Sequence, residues 1–539
     1  MPEDGQDDIW ADNGLGGALR FETHYDGRTM LCFSERPLTL AHMFDDLVRR
    51  FPQRPAIIED RTITYRELDD LVGKISAGLE ARNVVRGDRV ALFLGNCGEF
   101  LGCVLACNRI GAIVVPIGTR QRLAELAFLL NDSSAKILVF EAELADSVPE
   151  PDELPDLCHR FVIRGVAPRA NSFADLLAAG KVTTRVPDLR EEDVAVILYT
   201  SGTTGRPKGA QLTHLGIVHS ALTFARCFAL SENDRGIVAV PLSHVTGLVG
   251  VALSTMIAGG GVILMRQAYK TPDFLALAAR ERITYSILVP TIYTLCVMTP
   301  ELADHDLSSW RIGCFGGAPM PVATIEMLAE KLPLLQLVNA YGATETTSPS
   351  TLMPRTQWRD HIDSVGITVP CGRIKVMDDN GMEVPRGAPG ELWIAGPMVV
   401  PGYWGRPEAN RSEFVDGFWR SGDIGSMDAA GFVRVFDRKK DMINRAGYKV
   451  FSAEVENVIT SLDGVLECAI VGRDDPVLGQ RVHAIVVVPD DSPLTVEEVR
   501  SFCAERLADY KVPETVNLRV APLPRNANGK ILKSELRSL

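Results

Sequence analysis

Tyr199-Thr200-Ser201-Gly202-Thr203-Thr204-Gly205-Arg206-Pro207-Lys208-Gly209 is the stretch from which the rest of the chain is read. It crowds hydroxyls, glycines and one lysine into a single turn region. Val194-Ala195-Val196-Ile197-Leu198, an apolar run of β-formers, precedes it, and a helix-like pattern begins from Thr213. Strand, glycine-rich loop and helix together bring backbone N–H groups and a helix N-terminus to bear on phosphate. A Walker loop needs four residues between its first glycine and a Gly-Lys pair, then Ser or Thr, and that spacing is absent. The stretch reads as a phosphate loop of another kind. Its hydroxyls donate, its glycines permit positive φ, and Lys208 supplies charge. A solvent-exposed Ser/Thr/Gly linker is the competing reading; Pro207 and Gly209 suit it, but it leaves the adjacent buried strand unexplained.

On both sides of this loop, strand-like and helix-like segments alternate. Val90–Leu94, Ala112–Pro116 and Lys136–Phe140 read as strands, with helices over Glu99–Arg109 and Leu123–Leu130. A second series runs from Val194 through Ile237–Val240, Val262–Met265, Ser286–Pro290, Ile312–Phe315 and Gln336–Asn339, with helices such as Pro272–Glu281 and Pro321–Lys331 between them. Such alternation predicts an α/β fold with two doubly covered, mostly parallel sheets. After Ser364 the texture changes to short strands between Gly and Pro turns, a barrel-like antiparallel section ending at Phe432–Phe436. The charged run Asp437-Arg438-Lys439-Lys440-Asp441 follows. Beyond it lies a small α+β unit of about a hundred residues. The expected division is an acidic, disordered tail over 1–20, a large domain over 21–437, a boundary at 438–441 and a small domain over 442–539.

The chain has 539 residues, too many for one ordinary core. Its net charge of −13 argues against non-specific nucleic-acid binding. The 11 cysteines are scattered, with no CxxC pair, and read as small buried hydrophobes in a reducing compartment. Acidic residues precede Arg20 where a secretory signal needs basic ones, so a cytoplasmic protein is expected. Gly236 to Met265 is poor in charge, but Pro241, His244, Gly247 and the Gly259-Gly260-Gly261 run break it into strand, loop, helix (Leu248–Ile257) and strand rather than a membrane span. Peripheral membrane contact and homodimerisation stay open.

Other motifs are weaker singly. Tyr341-Gly342-Ala343-Thr344-Glu345-Thr346 follows a strand, where parallel sheets bind ligands. Glu345 offers oxygen to a magnesium ion and Tyr341 an aromatic face to a purine; a capped polar turn is the bland alternative. Asp423, after Ser421-Gly422, could accept two ribose hydroxyls, with Arg438 bracing them, or serve only as a turn aspartate. Gly529 would project Lys530 before a short helix, as a mobile charge for a developing oxyanion or as a solvated tail lysine. His244 follows an apolar strand, where packing histidines are commoner than catalysts. Gly316-Gly317-Ala318-Pro319 would let a flat ligand approach the backbone or simply turn the chain.

Taken in order along the chain, these motifs resemble the adenylate-forming superfamily of acyl- and aryl-CoA synthetases, luciferase and peptide-synthetase adenylation domains. The resemblance runs from about Leu38 to Leu539 and includes Gly390-Glu391-Leu392 through Gly402-Tyr403. It implies ATP, Mg2+ and coenzyme A as cofactors and a small carboxylic acid as substrate. Thr200, Ser201, Gly202, Thr203, Thr204, Gly205 and Lys208 would embrace the ATP phosphates. Gly317, Ala318 and Pro319, with Tyr341, would flank the adenine, and Asn339, Ala340 and Gly342 would also bind the cofactor. Thr344 would meet the α-phosphate, Glu345 the magnesium, and Asp423 and Arg438 the ribose. Lys440 falls at the family's hinge, Lys530 at its adenylating lysine, and Gly447 where the pantetheine arm passes. His244, Thr246, Gly250 and Gly316 would line the acid pocket, whose small residues point to room for a sizeable group. Asn444 and Ala446 depart from the lysines of many relatives, with Arg445 as a substitute.

The resemblance implies an AMP-forming acid–CoA ligase. A standalone enzyme loading a carrier protein, a luciferase-like oxygenase and a non-catalytic nucleotide-binding scaffold are the alternatives.

Overall fold

The computed structural model describes residues 9–10, 13–25, 27–178, 188–200, 206–318, 320–355, 357–525 and 531–537. It divides into two compact units, Met1–Ile374 with Ile394–Trp419 and Lys375–Trp393 with Arg420–Leu539. Segments 375–393 and 420–437, assigned above to the large domain, thus group with the C-terminal residues.

In the first unit the alternating segments become two sheets. One has seven strands in the order Lys208–Thr213, Val194–Thr200, Ile113–Pro116, Arg89–Phe93, Ala135–Glu141, His159–Ile163, Asn171–Ser172. Only its first pair is antiparallel. The other has nine strands. Its parallel heart runs Gln336–Tyr341, Ile312–Gly316, Tyr285–Leu288, Arg235–Val238, Gly261–Leu264, Pro55–Ile58. Helices Gly98–Ile110, Leu123–Asp132, Thr271–Arg280 and Val322–Lys331 fall where the periodicity predicts them.

Helix ends follow from local chemistry. Thr64 caps Tyr65–Glu80 by accepting the Glu67 N–H, while Glu67 takes the Thr64 N–H in return. Gly111, at φ 76°, ends Gly98–Ile110 in the left-handed conformation that a β-carbon disfavours. The apolar faces meet in a core where Trp310 stacks on Tyr293 at 5.9 Å and donates its indole N–H to Ser286 Oγ and the Ile312 carbonyl.

The phosphate-loop region differs from the expected strand–loop–helix. Lys208–Thr213 is itself a strand, antiparallel to Val194–Thr200, with Lys208 opposite Thr200. The two strands that flank the loop are therefore paired with each other, while residues 201–205 lie outside the described residues. The helix begins at His214, where the Thr213 hydroxyl accepts the Gly216 N–H. Its N-terminus follows Thr213, at the opposite end of that strand from Lys208. Lys208 and Gly209 read as turn residues in sequence; only cross-strand pairing makes them a strand.

Residues 1–20 are not one disordered tail. Trp10 is buried, the Asn13 amide donates to the carbonyls of Ala225 and Leu230 at 3.1 and 3.0 Å, and Leu19–His24 pairs with Arg28–Phe33. Residues 1–8 and 11–12 lie outside the described residues. Between strands Arg235–Val238 and Gly261–Leu264 the chain is π-helical over Thr246–Leu253 and α-helical over Ser254–Ile257. No described helix is long and apolar enough to cross a membrane.

In the second unit, Gly479–Val487 lies between Glu467–Asp475, antiparallel, and Thr515–Arg519, parallel, with helices Ser452–Thr460 and Val496–Ala504 alongside. Ile443, Val450, Val455, Ile459, Ile470 and Val482 belong to its buried core. The hairpin Ile443–Arg445 and Tyr448–Val450 was not predicted; each strand is too short to show a period.

Candidate active site

Lys208 and Glu345, far apart in sequence, meet in a buried cluster of the first unit. Lys208 reaches it because its strand pairs beside Thr200. Glu345 reaches it from a short helical turn, Thr344–Thr346, just past the C-terminal end of Gln336–Tyr341. Tyr403 joins them: its backbone bridges to Ala210, and the Trp404 N–H donates to the Gly209 carbonyl at 2.7 Å. The Tyr403 oxygen lies 2.9 Å from Glu345 Oε1 and 2.9 Å from Glu413 Oε2. Thr200 Oγ1 stands 3.4 Å from Glu345 Oε1. Lys208 Nζ contacts Glu413 Oε1 at 2.5 Å and sits 4.4 Å above the Tyr403 ring. Burial and the two carboxylates push the Tyr403 hydroxyl far above its ordinary pKa, so it is a donor. Glu345 is 8% exposed, and the hydroxyl oxygens around it form a setting that fits a hard cation such as magnesium.

Several positions expected to bind the nucleotide gather at the ends of two neighbouring strands. Gly316 pairs with Ala340, and Phe315 with Asn339. A β-carbon on Gly316 would lie 2.4 Å from the Ala340 carbonyl oxygen, so only glycine permits this approach. Gly317, at φ +78°, and Ala318 are exposed. A β-carbon on Gly342 would meet Ser348 Oγ at 2.9 Å. The Asn339 amide donates to the Ser364 carbonyl at 3.1 Å. Ser201, Gly202, Thr203, Thr204, Gly205 and Pro319 lie outside the described residues.

The positions expected to line the acid pocket divide. His244 and Thr246 are partly exposed at the head of the π-helical stretch, and burial lowers the His244 pKa, favouring the neutral imidazole. Gly250 is no opening. A β-carbon there would meet Ile287 Cδ1 at 2.8 Å, and its carbonyl accepts the Tyr285 hydroxyl at 2.5 Å. Its smallness serves packing between the helical stretch and a strand, so it says nothing of pocket size.

In the second unit Asp423 and Arg438 face each other across paired strands and form an ion pair of 2.7 Å. The Ser421 hydroxyl accepts the Asp423 N–H and donates to the Leu392 carbonyl. The Lys440 carbonyl accepts from Arg537 at 2.9 Å. Ala446 and Gly447, at φ 51° and 89°, make the tight turn of the unpredicted hairpin. Arg445 is not a free substitute for the missing lysines: it pairs with Glu514 at 2.5 Å, and Glu514 also accepts the Val482 N–H. Lys530 lies outside the described residues.

Glu413 escaped the sequence reading. It ends the short helix Pro407–Glu413, where a carboxylate is indistinguishable from a solvated one until the fold brings Lys208 beside it.

A family model described as AMP-binding enzyme matches residues 44–404, and one described as AMP-binding enzyme C-terminal domain matches 454–530. The chain is 35% identical over 492 residues to a feruloyl-CoA synthase of an Amycolatopsis species, covering 91% of this chain and 96% of the relative. It is 32% identical to a long-chain-fatty-acid–CoA ligase of Mycobacterium tuberculosis, over 90% of this chain and 95% of that one. Among solved structures, ATP-bound MatB from Rhodopseudomonas palustris aligns with a TM-score of 0.84 at 31% identity, covering 92% of this chain and 98% of that one. The o-succinylbenzoate CoA synthetase of Bacillus subtilis, in complex with its acyl-adenylate, aligns with a TM-score of 0.82 at 28% identity, over 93% and 98%.

Proposed function

The chain belongs to the AMP-binding enzyme family, and we propose that it is an ATP-dependent carboxylic acid–CoA ligase acting on a fatty or aryl acid. The convergence of Lys208 and Glu345 on one buried cluster carries this reading.

In the first step a carboxylate oxygen of the acid attacks the α-phosphorus of ATP. The bond to the bridging oxygen breaks and pyrophosphate leaves with its electron pair. Two anions must meet, so the protein's work is placement and charge neutralisation. Lys208 supplies a cation to the phosphates and Thr200 a hydroxyl; Thr344 lies in the turn that holds Glu345. Glu345 would hold magnesium, which neutralises phosphate charge. Neutral His244 can donate to the carboxylate of the acid. Asp423 takes the ribose hydroxyls, with Arg438 fixing its orientation. In the second step the thiol of coenzyme A attacks the acyl carbon and AMP departs. Lys530 serves the first step, Gly447 the passage of the thiol arm, and Lys440 the turn between the two.

None of the 11 cysteines forms a disulfide and Cys158 alone among them is exposed, which supports a reducing, cytoplasmic setting. The test is a pyrophosphate-release screen over fatty, cinnamic, benzoic and dicarboxylic acids, with and without coenzyme A. Pyrophosphate and AMP are expected with at least one acid, and a thioester when coenzyme A is added. ADP and orthophosphate as the only products would overturn the reading.

A further inference from the structure

Lys208 does not wait free for a phosphate. Its side chain is 10% exposed, and its ammonium is already paired with Glu413 at 2.5 Å. We propose that Glu413 is the resting counter-ion of Lys208, and that ATP must take the lysine from it. This rests on reading Lys208 as a phosphate ligand.

The pairing is built rather than incidental. The Asn410 amide clamps Tyr403 from both sides, accepting its N–H at 2.7 Å and donating to its carbonyl at 3.0 Å. A β-carbon on Gly402 would strike that amide at 2.7 Å, so Gly402 makes room for the clamp. The Gly402 carbonyl in turn accepts the Gln211 N–H on the lysine's own strand, at 3.1 Å. The helix Pro407–Glu413 is thereby fixed to the strand Lys208–Thr213, and its last residue is carried to the lysine.

The charges explain why an exchange must occur. Lys208, Glu345 and Glu413 together carry one formal negative charge, in the place where a polyanion binds. Glu345 and Glu413 also share the single proton of the Tyr403 hydroxyl, each 2.9 Å from its oxygen. When Lys208 turns to a phosphate, Glu413 loses its cation and becomes the stronger acceptor for that proton. The hydroxyl then donates to Glu413, and the Glu345 oxygen that had accepted it is one that would hold magnesium. Glu413 is a positioning residue: it acts through Lys208 and Tyr403 and touches no reacting atom.

Apparent ATP affinity is reduced by the fraction of enzyme whose lysine is still held. Glu413→Gln keeps the shape and removes the charge. Calorimetric titration with ATP and magnesium, in the absence of any acid, is expected to show binding tightened about 3- to 10-fold. KM for ATP should fall by a similar factor, kcat should change by less, and Glu413→Asp should return both toward the parent values. Unchanged or weaker ATP binding by a folded Glu413→Gln enzyme would overturn the inference, as would a loss confined to kcat. If the parent binds ATP yet no acid elicits pyrophosphate, the ligase reading fails while the calorimetric comparison still decides the role of Glu413.

Discussion

Asp423 and Arg438 stand directly opposite each other on antiparallel strands, with the guanidinium Nε 2.7 Å from the carboxylate Oδ1. The aspartate is 3% exposed while the arginine side chain is 37% exposed, so the pair presents a fixed carboxylate with its cation toward water. Such a carboxylate is oriented before any ribose arrives. Asp423→Ala removes charge-assisted hydrogen bonds of about 1.5–3 kcal/mol, a factor of roughly 10–100. KM for ATP should rise by that factor in pyrophosphate-exchange assays. Unchanged ATP affinity in a folded variant would remove Asp423 from the nucleotide site.

Gly316 and Gly317 adjoin, yet they should respond differently to alanine. A β-carbon on Gly316 meets the Ala340 carbonyl at 2.4 Å, a backbone atom held in the sheet. Gly317 at φ +78° meets nothing within 4 Å. Gly316→Ala therefore carries an overpacking cost of about 1–3 kcal/mol. Gly317→Ala carries the left-handed strain of about 1–2 kcal/mol and no clash. Thermal unfolding should place Gly316→Ala below Gly317→Ala, and ATP affinity should fall more in the former. The reverse order would show that the strand end yields more readily than its pairing suggests.

Two buried histidines make the N-terminal segment sensitive to acid. His219 donates from Nδ1 to the Leu215 carbonyl at 2.9 Å, so its Nε2 is the acceptor for the Phe33 N–H at 3.3 Å. His214 Nδ1 accepts the Leu40 N–H at 3.3 Å. Burial lowers their pKa values to about 3 and about 4. Arg36 and His24 also disfavour a proton on His219, and His42 and Arg86 one on His214; Glu22 and Asp193 oppose them. The unfolded chain protonates first, so this stability is complete above about pH 6.5 and declines as pH falls toward the folded values. The opening free energy read from hydrogen exchange at Phe33 and Leu40, with the intrinsic rate divided out, should fall between pH 7 and pH 5. His219→Gln should flatten the dependence at Phe33; an exchange free energy independent of pH over that range would contradict it.

The parallel-strand series was legible because inner strands such as Gly261–Leu264 and Tyr285–Leu288 are buried on both faces and read as apolar runs, and Gln336–Asn339 lies inside the observed Gln336–Tyr341. The strand after the glycine-rich loop was not, since Lys208 and Gly209 carry turn chemistry and become a strand only by pairing with Thr200 and Tyr199. Lys208 and Glu345 were singled out by motif order, and the structure brings them into one cluster. Glu413 was not, because its role depends on a partner two hundred residues earlier in the chain. Gly250 shows the opposite failure. A small residue has two uses, opening a pocket or admitting a neighbour, and only the Ile287 contact tells which.

Lys530 offers the sharpest test of the division of labour between the two half-reactions. The adenylating step brings a carboxylate to a polyphosphate, so removing a cation there raises the barrier for that step. The thiol step starts from an acyl-adenylate that has already lost pyrophosphate and has less charge to neutralise. Lys530→Ala should therefore reduce pyrophosphate release by about 100-fold or more, the range seen when one electrostatic stabiliser is removed. Thioester formation from supplied acyl-adenylate should stay within a few-fold of the parent. Rapid-quench measurement of each half-reaction separates the two. Equal loss in both would mean that one arrangement of the active site serves both steps, and Lys440 would then have no turn to perform.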